Sequence, residues 1–172
     1  MIEVRLQSIL QKATREGWAT GHFNASELDQ MRAIVEACKE VGAPAIIGTS
    51  EGERKHLGLR EAVAVRGALR TDFQIPIFLN ADHTRSVEAA KEAIVAGYDS
   101  VHIDLSALSF EENVRGTREV VEYACEHEAR STKQELRINI EGELGYLRGE
   151  SKIQKEKIEV NRGDYTKPEE AK

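Results

Sequence analysis

Asp82 and His83 are the residues whose types and spacing point most sharply to chemistry, since they stand side by side after an apolar run. A neutral imidazole is the commonest metal ligand near physiological pH. A neighbouring carboxylate can move a proton once a metal has polarised a substrate carbonyl. The alternative is structural, with Asp82 as the N-cap of a following helix beside a surface histidine. Spacing alone leaves both interpretations open.

Polar residues that can bind metals or substrates also follow the other apolar runs. His102 and Asp104 would share one face of a strand, although a histidine at such a position is more often a core or surface residue than a ligand. Glu141 and Glu143 alternate, so either could bind a metal or form an ion pair with an arginine. The candidate arginines for that pairing are Arg137 and Arg148.

Short apolar runs alternate with longer helix-like stretches along the chain. The predicted strands are 18–24, 43–49, 75–81, 100–104 and 136–141. The predicted helices are 3–16, 26–42 with Ser26 as N-cap and Gly42 as terminator, 60–70, 85–96, 110–130 and a first turn from Pro168. Such alternation predicts an α/β fold with a parallel sheet, in which the carboxyl ends of the strands gather the reactive residues.

Alternation does not separate an open doubly wound sheet from a β/α barrel. No G-x-G-x-x-G motif follows the first strand and no P-loop is present, which disfavours the dinucleotide-binding version. A barrel needs eight strands, so five would leave an exposed strand edge. Residues 142–166 are polar and interrupted by glycines, and they predict a long loop.

Composition argues against several function classes. The formal net charge of −6 disfavours a nucleic-acid surface. No apolar run approaches the roughly 18 residues that span a bilayer, and the N-terminus lacks the apolar region of a secretory signal. Two isolated cysteines predict small buried thiols in a reducing compartment. The strand ends carry no lysine for Schiff-base chemistry. We therefore expect a cytoplasmic protein without nucleic-acid or membrane partners.

The chain resembles the class II aldolase family, the zinc-dependent fructose-bisphosphate and tagatose-bisphosphate aldolases, up to about residue 145. Six segments carry the resemblance in the family's order and spacing: GHFNASELDQMRAIVEA, PAIIGTSEG, PIFLNADHT, AGYDSVHID, LSFEENVRGTREVVEYA and EGELG. The resemblance implies a (β/α)8 TIM barrel, here one partial domain over residues 1–172, truncated after about five strands. It also implies reversible aldol cleavage of a ketose 1,6-bisphosphate to dihydroxyacetone phosphate and glyceraldehyde 3-phosphate.

The resemblance implies a role for each matching position. His83 matches the first zinc ligand, and Asp82 matches the residue that transfers the proton of the C4 hydroxyl. Glu143 and Asp104 resemble positions of an alternative metal site. The implied cofactor is Zn²⁺ or another divalent metal, and the implied partner is a phosphorylated ketose. Two further residues resemble substrate-contacting positions: Asn24 and Ser50.

The chain departs from the family pattern in three places. FLNADHT stands where the family has a segment resembling LHLDHG, which leaves the choice between fructose and tagatose open. After ELG the family carries a Gly-Gly-x-Glu-Asp-like stretch, whereas this chain has YLRGESKIQKEK, in which Glu150 is a loose match. Two further zinc-binding histidines and the glycine-rich phosphate loops of strands 6 to 8 have no counterpart.

One histidine cannot complete the three-ligand site of a catalytic zinc. We therefore expect the chain alone to be a poorly active or inactive aldolase. One alternative is an incomplete, catalytically inactive aldolase fragment or an accessory or binding subunit. Another is a half-barrel that forms a homodimer or homo-oligomer, or that pairs with a complementing C-terminal half.

Overall fold

The computed structural model of the chain describes residues 5–131, 137–148, 155 and 157–171. The helices are α1 Leu6–Glu16, α2 Leu28–Glu40, α3 Glu51–Leu57, α4 Leu59–Phe73, α5 Val87–Ala96 and α6 Phe110–Arg130. The strands are β1 His22–Asn24, β2 Ala45–Thr49, β3 Ile77–Thr84, β4 Ser100–Ile103 and β5 Asn139–Gly142. A short 3-10 helix follows at Arg162–Asp164.

The five strands form one parallel sheet in the order β1-β2-β3-β4-β5. Each new strand is therefore added on the same side of the previous one. In a doubly wound sheet the strand order reverses part-way, as in 3-2-1-4-5-6, where strand 4 lies on the other side of strand 1 from strand 2. The observed order is that of a β/α barrel, which confirms the α/β prediction and decides between the two sheet types.

The core lies between the sheet and the helices that connect its strands. Side chains of alternating strand residues, such as Ile47, Leu79 and Val101, are fully buried against α2, α4, α5 and α6. Residues one position away point to the other face of the sheet. There α1 packs Leu6 against Ile46 and Phe78. The rest of this second face carries polar side chains toward the carboxyl ends of the strands.

The structure differs from the predicted helices in three places. α2 begins after Glu27, so Ser26 is not its N-cap. Instead Ser26 donates its backbone N–H and its hydroxyl to the side-chain oxygen of Gln30, 2.8 and 3.1 Å away. The segment between the predicted strand 43–49 and the predicted helix 60–70, interpreted from the sequence as a loop and the start of that helix, forms a separate helix, α3. Residues 168–171 form a turn and not the start of a helix.

Helix α6 has the predicted bounds but a different buried stripe. Val120 and Ala124 face the core as expected, whereas Val114 and Val121 are 37% and 40% exposed. The inward positions one and two turns earlier are taken by small or polar residues, Gly116 and Asn113.

The prediction of two buried thiols was half wrong, because Cys38 is buried and Cys125 is exposed. None of the described helices combines the length and the apolar character needed to cross a bilayer.

Candidate metal centre

The carboxyl end of β3 is irregular where it carries the reactive pair. Its register with β4 shifts between Ala81 and Thr84. Within that interval His83 has a φ of 39°, in the left-handed region that residues other than glycine rarely adopt. Such a residue costs on the order of 1–3 kcal/mol and is a frequent feature of functional sites. Successive residues of a regular strand point to opposite faces, so the irregularity allows Asp82 and His83 to reach one site.

Asp82, His83 and His102 each bring one possible ligand atom to within 4.8 Å of the others. The two imidazole rings lie 4.4 Å apart, centroid to centroid. His102 comes from β4 and is only 6% exposed. Two imidazoles and a carboxylate are a donor set that suits a divalent transition metal.

The alternative prediction, that Asp82 is the N-cap of the helix after β3, is wrong. The helix after β3 is α5, and its N-cap is Ser86, whose hydroxyl accepts the backbone N–H of Ala89 at 3.2 Å. Asp82 lies four residues before that cap and faces the histidines.

The Asp82 carboxylate is held by two neighbours. Asn24, from the end of β1, donates its amide Nδ2 to Oδ2 of Asp82 at 2.9 Å. The other oxygen, Oδ1, lies 3.6 Å from Nδ1 of His102. The His102 ring lowers the pKa of Asp82 far below its ordinary value, and Asn24 adds to this effect, although burial opposes it. Asp82 is therefore a carboxylate at neutral pH and can accept a proton.

His102 lies between two carboxylates. Its Nε2 is 2.9 Å from Oε2 of Glu143, a half-buried residue just beyond β5. Burial alone would lower the pKa of His102, but Asp82, Glu141 and Glu143 outweigh burial and raise it. Sequence reasoning favoured a core or surface role for this histidine. Its burial agrees with that reading, but its ring faces the site.

The sequence did hold a signal for His102: it lies two residues before Asp104, on the same face of the predicted strand 100–104. The sequence also allowed Glu141 or Glu143 to form an ion pair with Arg148. Arg148 instead forms an ion pair with Asp164, at 2.6 Å. Glu141 is exposed, and Glu143 is the one of the pair that contacts the cluster. Glu150 lies outside the described residues.

His83 is oriented by Asp104. Its Nδ1 lies 2.8 Å from Oδ2 of Asp104. The second oxygen of Asp104 accepts the backbone N–H and the hydroxyl of Ser106, at 3.2 and 2.5 Å. Burial would raise the pKa of Asp104, but its hydrogen bonds with Ser106 and His83 outweigh burial and lower it. A neutral His83 that donates from Nδ1 keeps the lone pair of Nε2 for a metal, a common arrangement in metalloproteins.

The two residues predicted to contact substrate lie in different surroundings. Asn24 is exposed and contacts Asp82 directly, so it lies within the site. Ser50 forms the N-terminal capping box of α3: its hydroxyl accepts the N–H of Glu53, and its own N–H donates to the Glu53 carboxylate at 2.6 Å. The structure thus gives Ser50 a structural role, and its contact with substrate stays a prediction.

Gly48 was missed by the sequence reasoning. It lies in β2 between β1 and β3, in register with Asn24 on one side and Asn80 on the other. A Cβ at this position would lie 2.5 Å from Nε2 of His22 and 3.0 Å from Oδ1 of Asn24. The missing side chain therefore leaves the space through which Asn24 reaches Asp82.

A fold with polar strand ends and a carboxylate–imidazole cluster agrees with the family that the sequence resembles. The profile of the class II fructose-bisphosphate aldolases matches residues 4–172. The chain belongs to the class II fructose-bisphosphate aldolase family.

Relatives in this aldolase family are clearly similar in sequence. A fructose-bisphosphate aldolase of Staphylococcus aureus (strain Mu50 / ATCC 700699) is 39% identical over 150 residues, which cover 86% of this chain and 49% of that protein. A fructose-bisphosphate aldolase of Treponema pallidum (strain Nichols) is 36% identical, with 97% of this chain and 48% of that protein covered. The chain spans about half the length of the curated relatives it matches.

Solved structures of aldolases share the fold. The YdjI aldolase of Escherichia coli K12 superposes with a TM-score of 0.67 at 23% identity, covering 80% of this chain and 51% of that one. Fructose-bisphosphate aldolase of Campylobacter jejuni gives a TM-score of 0.66 at 23% identity, covering 78% and 44%. At this identity the likeness concerns the fold alone, and it agrees with the barrel-type strand order.

Proposed function

We propose that the chain forms part of a metal-dependent aldolase. Its reaction would be the reversible cleavage of a ketose 1,6-bisphosphate, fructose or tagatose, to dihydroxyacetone phosphate and glyceraldehyde 3-phosphate. The observation that carries the proposal is the convergence of Asp82, His83 and His102 at the carboxyl ends of β3 and β4. Membership of the class II aldolase family supports the reaction type. The names of the relatives support a phosphorylated sugar as substrate.

We propose zinc, or another divalent metal, as the cofactor. His83 would bind it through Nε2, the ring nitrogen that Asp104 does not contact. Glu143 and Asp104 are the proposed further ligands, since each already contacts one imidazole of the cluster. A bound divalent metal supplies Lewis-acid polarisation of the substrate carbonyl.

Asp82 is the proposed proton-transfer residue. Because it stays ionised at neutral pH, it can accept the proton of the C4 hydroxyl while the C3–C4 bond breaks, and return it in the reverse direction. Asn24 would hold one carboxylate oxygen in place and present its own amide to substrate hydroxyls. Ser50, at the end of the neighbouring strand, is the second proposed substrate contact.

A catalytic zinc takes three protein ligands and keeps a further position for water or substrate. We propose that a second copy in a homodimer or homo-oligomer, or a complementing C-terminal half, completes the site where the described residues do not.

We also propose a cytoplasmic location, since Cys38 and Cys125 are both free thiols, as in proteins of reducing compartments.

The test is a coupled aldol-cleavage assay with fructose and tagatose 1,6-bisphosphates, first with zinc and then with a chelator. Asp82→Asn keeps the shape of the side chain but removes its basicity. We expect the turnover of the parent chain to be weak and chelator-sensitive, because its metal site is incomplete, and to fall about 10²- to 10⁴-fold in this variant. Asp72→Asn, at an exposed position of α4, is the matched control and should keep full activity.

Turnover that survives both the chelator and Asp82→Asn would contradict the proposal. A folded chain without any turnover would favour the alternative of an inactive aldolase fragment or an accessory subunit.

A further inference from the structure

Arg54 is a buried cation next to the candidate metal centre, and the proposed aldol chemistry gives it no role. It belongs to α3, the short helix that starts at the carboxyl end of β2, and is only 7% exposed. Burying a guanidinium is unfavourable unless strong interactions compensate. Among the described residues no carboxylate lies within ion-pair distance of Arg54, although Glu51, Glu53 and Asp82 favour its charge from further away. The direct contacts of its guanidinium are therefore with neutral groups.

Those groups belong to the ends of β2 and β3. Nη1 of Arg54 donates to the backbone carbonyl of Thr49 and, at 3.2 Å, to the backbone carbonyl of Asp82. Nη2 donates to the hydroxyl of Thr84 at 3.0 Å. That hydroxyl donates in turn to the backbone carbonyl of Ala81 at 3.0 Å. One guanidinium thus contacts the residues on either side of His83.

The backbone between the two contacts of Arg54, at Asp82 and Thr84, has an unusual conformation. His83 has left-handed backbone angles, and the β3–β4 register shifts across the same residues. Strained backbone of this kind persists only where the surroundings hold it. A regular strand would turn Asp82 and His83 to opposite faces of the sheet and separate them.

We propose that Arg54 is a positioning residue: its guanidinium holds the irregular Asp82–Thr84 segment in the conformation that turns Asp82 and His83 toward one site. The planar fork of donors suits this task, because two different nitrogens reach the acceptors before and after His83. A lysine carries its three donors on a single nitrogen, so it cannot reproduce the two separate donor nitrogens of the fork. The capping box of Ser50 and Glu53 starts the helix that carries Arg54, and so fixes where the guanidinium lies.

The test uses three variants of the full chain. Arg54→Lys keeps the charge and removes the fork. Thr84→Val replaces by a methyl group the hydroxyl that Arg54 contacts and that donates to Ala81. Arg60→Lys, at an exposed position of α4, is the matched control. The first readout is the pair of ¹³Cα and ¹³Cβ chemical shifts of His83 in the metal-free chain, which report its backbone angles. The second is the affinity for Co²⁺ alone, measured by optical titration; its interpretation rests on the proposed function.

We expect Arg54→Lys to move the His83 shifts toward those of an extended strand, and Thr84→Val to move them less in the same direction. Co²⁺ should bind about 10- to 100-fold more weakly to Arg54→Lys, as when groups that support metal ligands are removed. Arg60→Lys should change neither quantity.

A folded Arg54→Lys chain with the His83 shifts of the parent would overturn the proposal, even if its stability were lower. Should Arg54→Lys fail to fold, Thr84→Val decides, and unchanged His83 shifts in that variant overturn it. If the parent chain binds no Co²⁺ but its His83 shifts move in Arg54→Lys, the positioning role stands and the proposed metal site fails.

Discussion

The amide of Asn24 reaches Asp82 by crossing β2, the strand between their own strands, and Gly48 is the residue that it crosses. The crossing needs free space, because a Cβ on Gly48 would lie 2.5 Å from Nε2 of His22 and 3.0 Å from Oδ1 of Asn24. Both side chains then contact β3 residues, His22 at Asn80 and Asn24 at Asp82. At the residue scale, the site therefore depends on the absence of one side chain.

Gly48→Ala should displace the side chains of His22 and Asn24 and break the hydrogen bond from Asn24 to Asp82. We expect the free energy of unfolding to fall by about 1–3 kcal/mol, as in other overpacked interiors, measured by urea denaturation. Gly67→Ala is the control, since nothing lies within 4 Å of the added methyl group in the middle of α4. It should stabilise the chain by roughly 0.5–1 kcal/mol. A Gly48→Ala chain as stable as the parent would disprove the crowding argument.

At the scale of elements, the capping boxes decide where two helices begin. α3 starts with Ser50 and Glu53, and α6 starts with Ser109 and Glu112, each pair making the reciprocal hydrogen bonds of that motif. The pattern of a serine followed three residues later by glutamate is visible in the sequence. α3 has seven residues, too few to be stable by propensity alone, so its position depends on the cap and on tertiary contacts.

Ser50→Ala should lower the free energy of unfolding by about 0.5–2 kcal/mol, because the N–H of Glu53 loses its acceptor. Ser109→Ala should cost a similar amount, whereas Ser50→Asp keeps an acceptor and should be nearly neutral. Thermal and urea unfolding measure all three. A rise in KM for Ser50→Ala but not for Ser109→Ala would support the proposed substrate contact of Ser50. Equal stability of Ser50→Ala and the parent chain would show that the cap contributes nothing.

At the scale of the whole molecule, the two faces of the sheet differ in polarity. The helices between the strands cover one face with the main apolar core. The other face holds Leu6 of α1 against Ile46 and Phe78, and carries the histidines and carboxylates near the carboxyl ends of the strands. A metal that binds this cluster favours the folded chain, because Asp82 and His83 come from β3 and His102 from β4, and these residues meet only when the sheet forms. Metal binding and folding are therefore linked.

Zinc should raise the melting temperature of the chain, and a chelator should reverse the rise. At a free metal concentration 100 times the Kd, the stabilisation is about 2.7 kcal/mol. His83→Ala should remove most of it, because that variant loses an imidazole from the cluster. His56→Ala, at an exposed position of α3, is the control and should keep it. An identical zinc response in His83→Ala and the parent would exclude His83 as a ligand. The melting curves can be followed by circular dichroism.

Much of the element pattern was predictable from local periodicity. All five strands were anticipated, and α6 was predicted with its observed bounds, 110–130. The errors arise where a local rule competes with tertiary packing. Serine is a favoured N-cap residue, yet the N-cap of α2 is Glu27, one residue after Ser26. Val114 and Val121 have the spacing of core residues, yet they are exposed. The buried face of α6 instead runs through Asn113, Gly116, Val120 and Ala124.

The sequence by itself determined the parallel α/β fold and the types of residue at each strand end, because helix and strand periods are local properties. It also determined the family. Only the tertiary structure decided which of these side chains meet. The contacts of the site join residues far apart in the chain: 58 positions from Asn24 to Asp82 and 41 from His102 to Glu143. Such contacts depend on strand register, on the space above Gly48 and on the backbone angles of His83, none of which has a local signature.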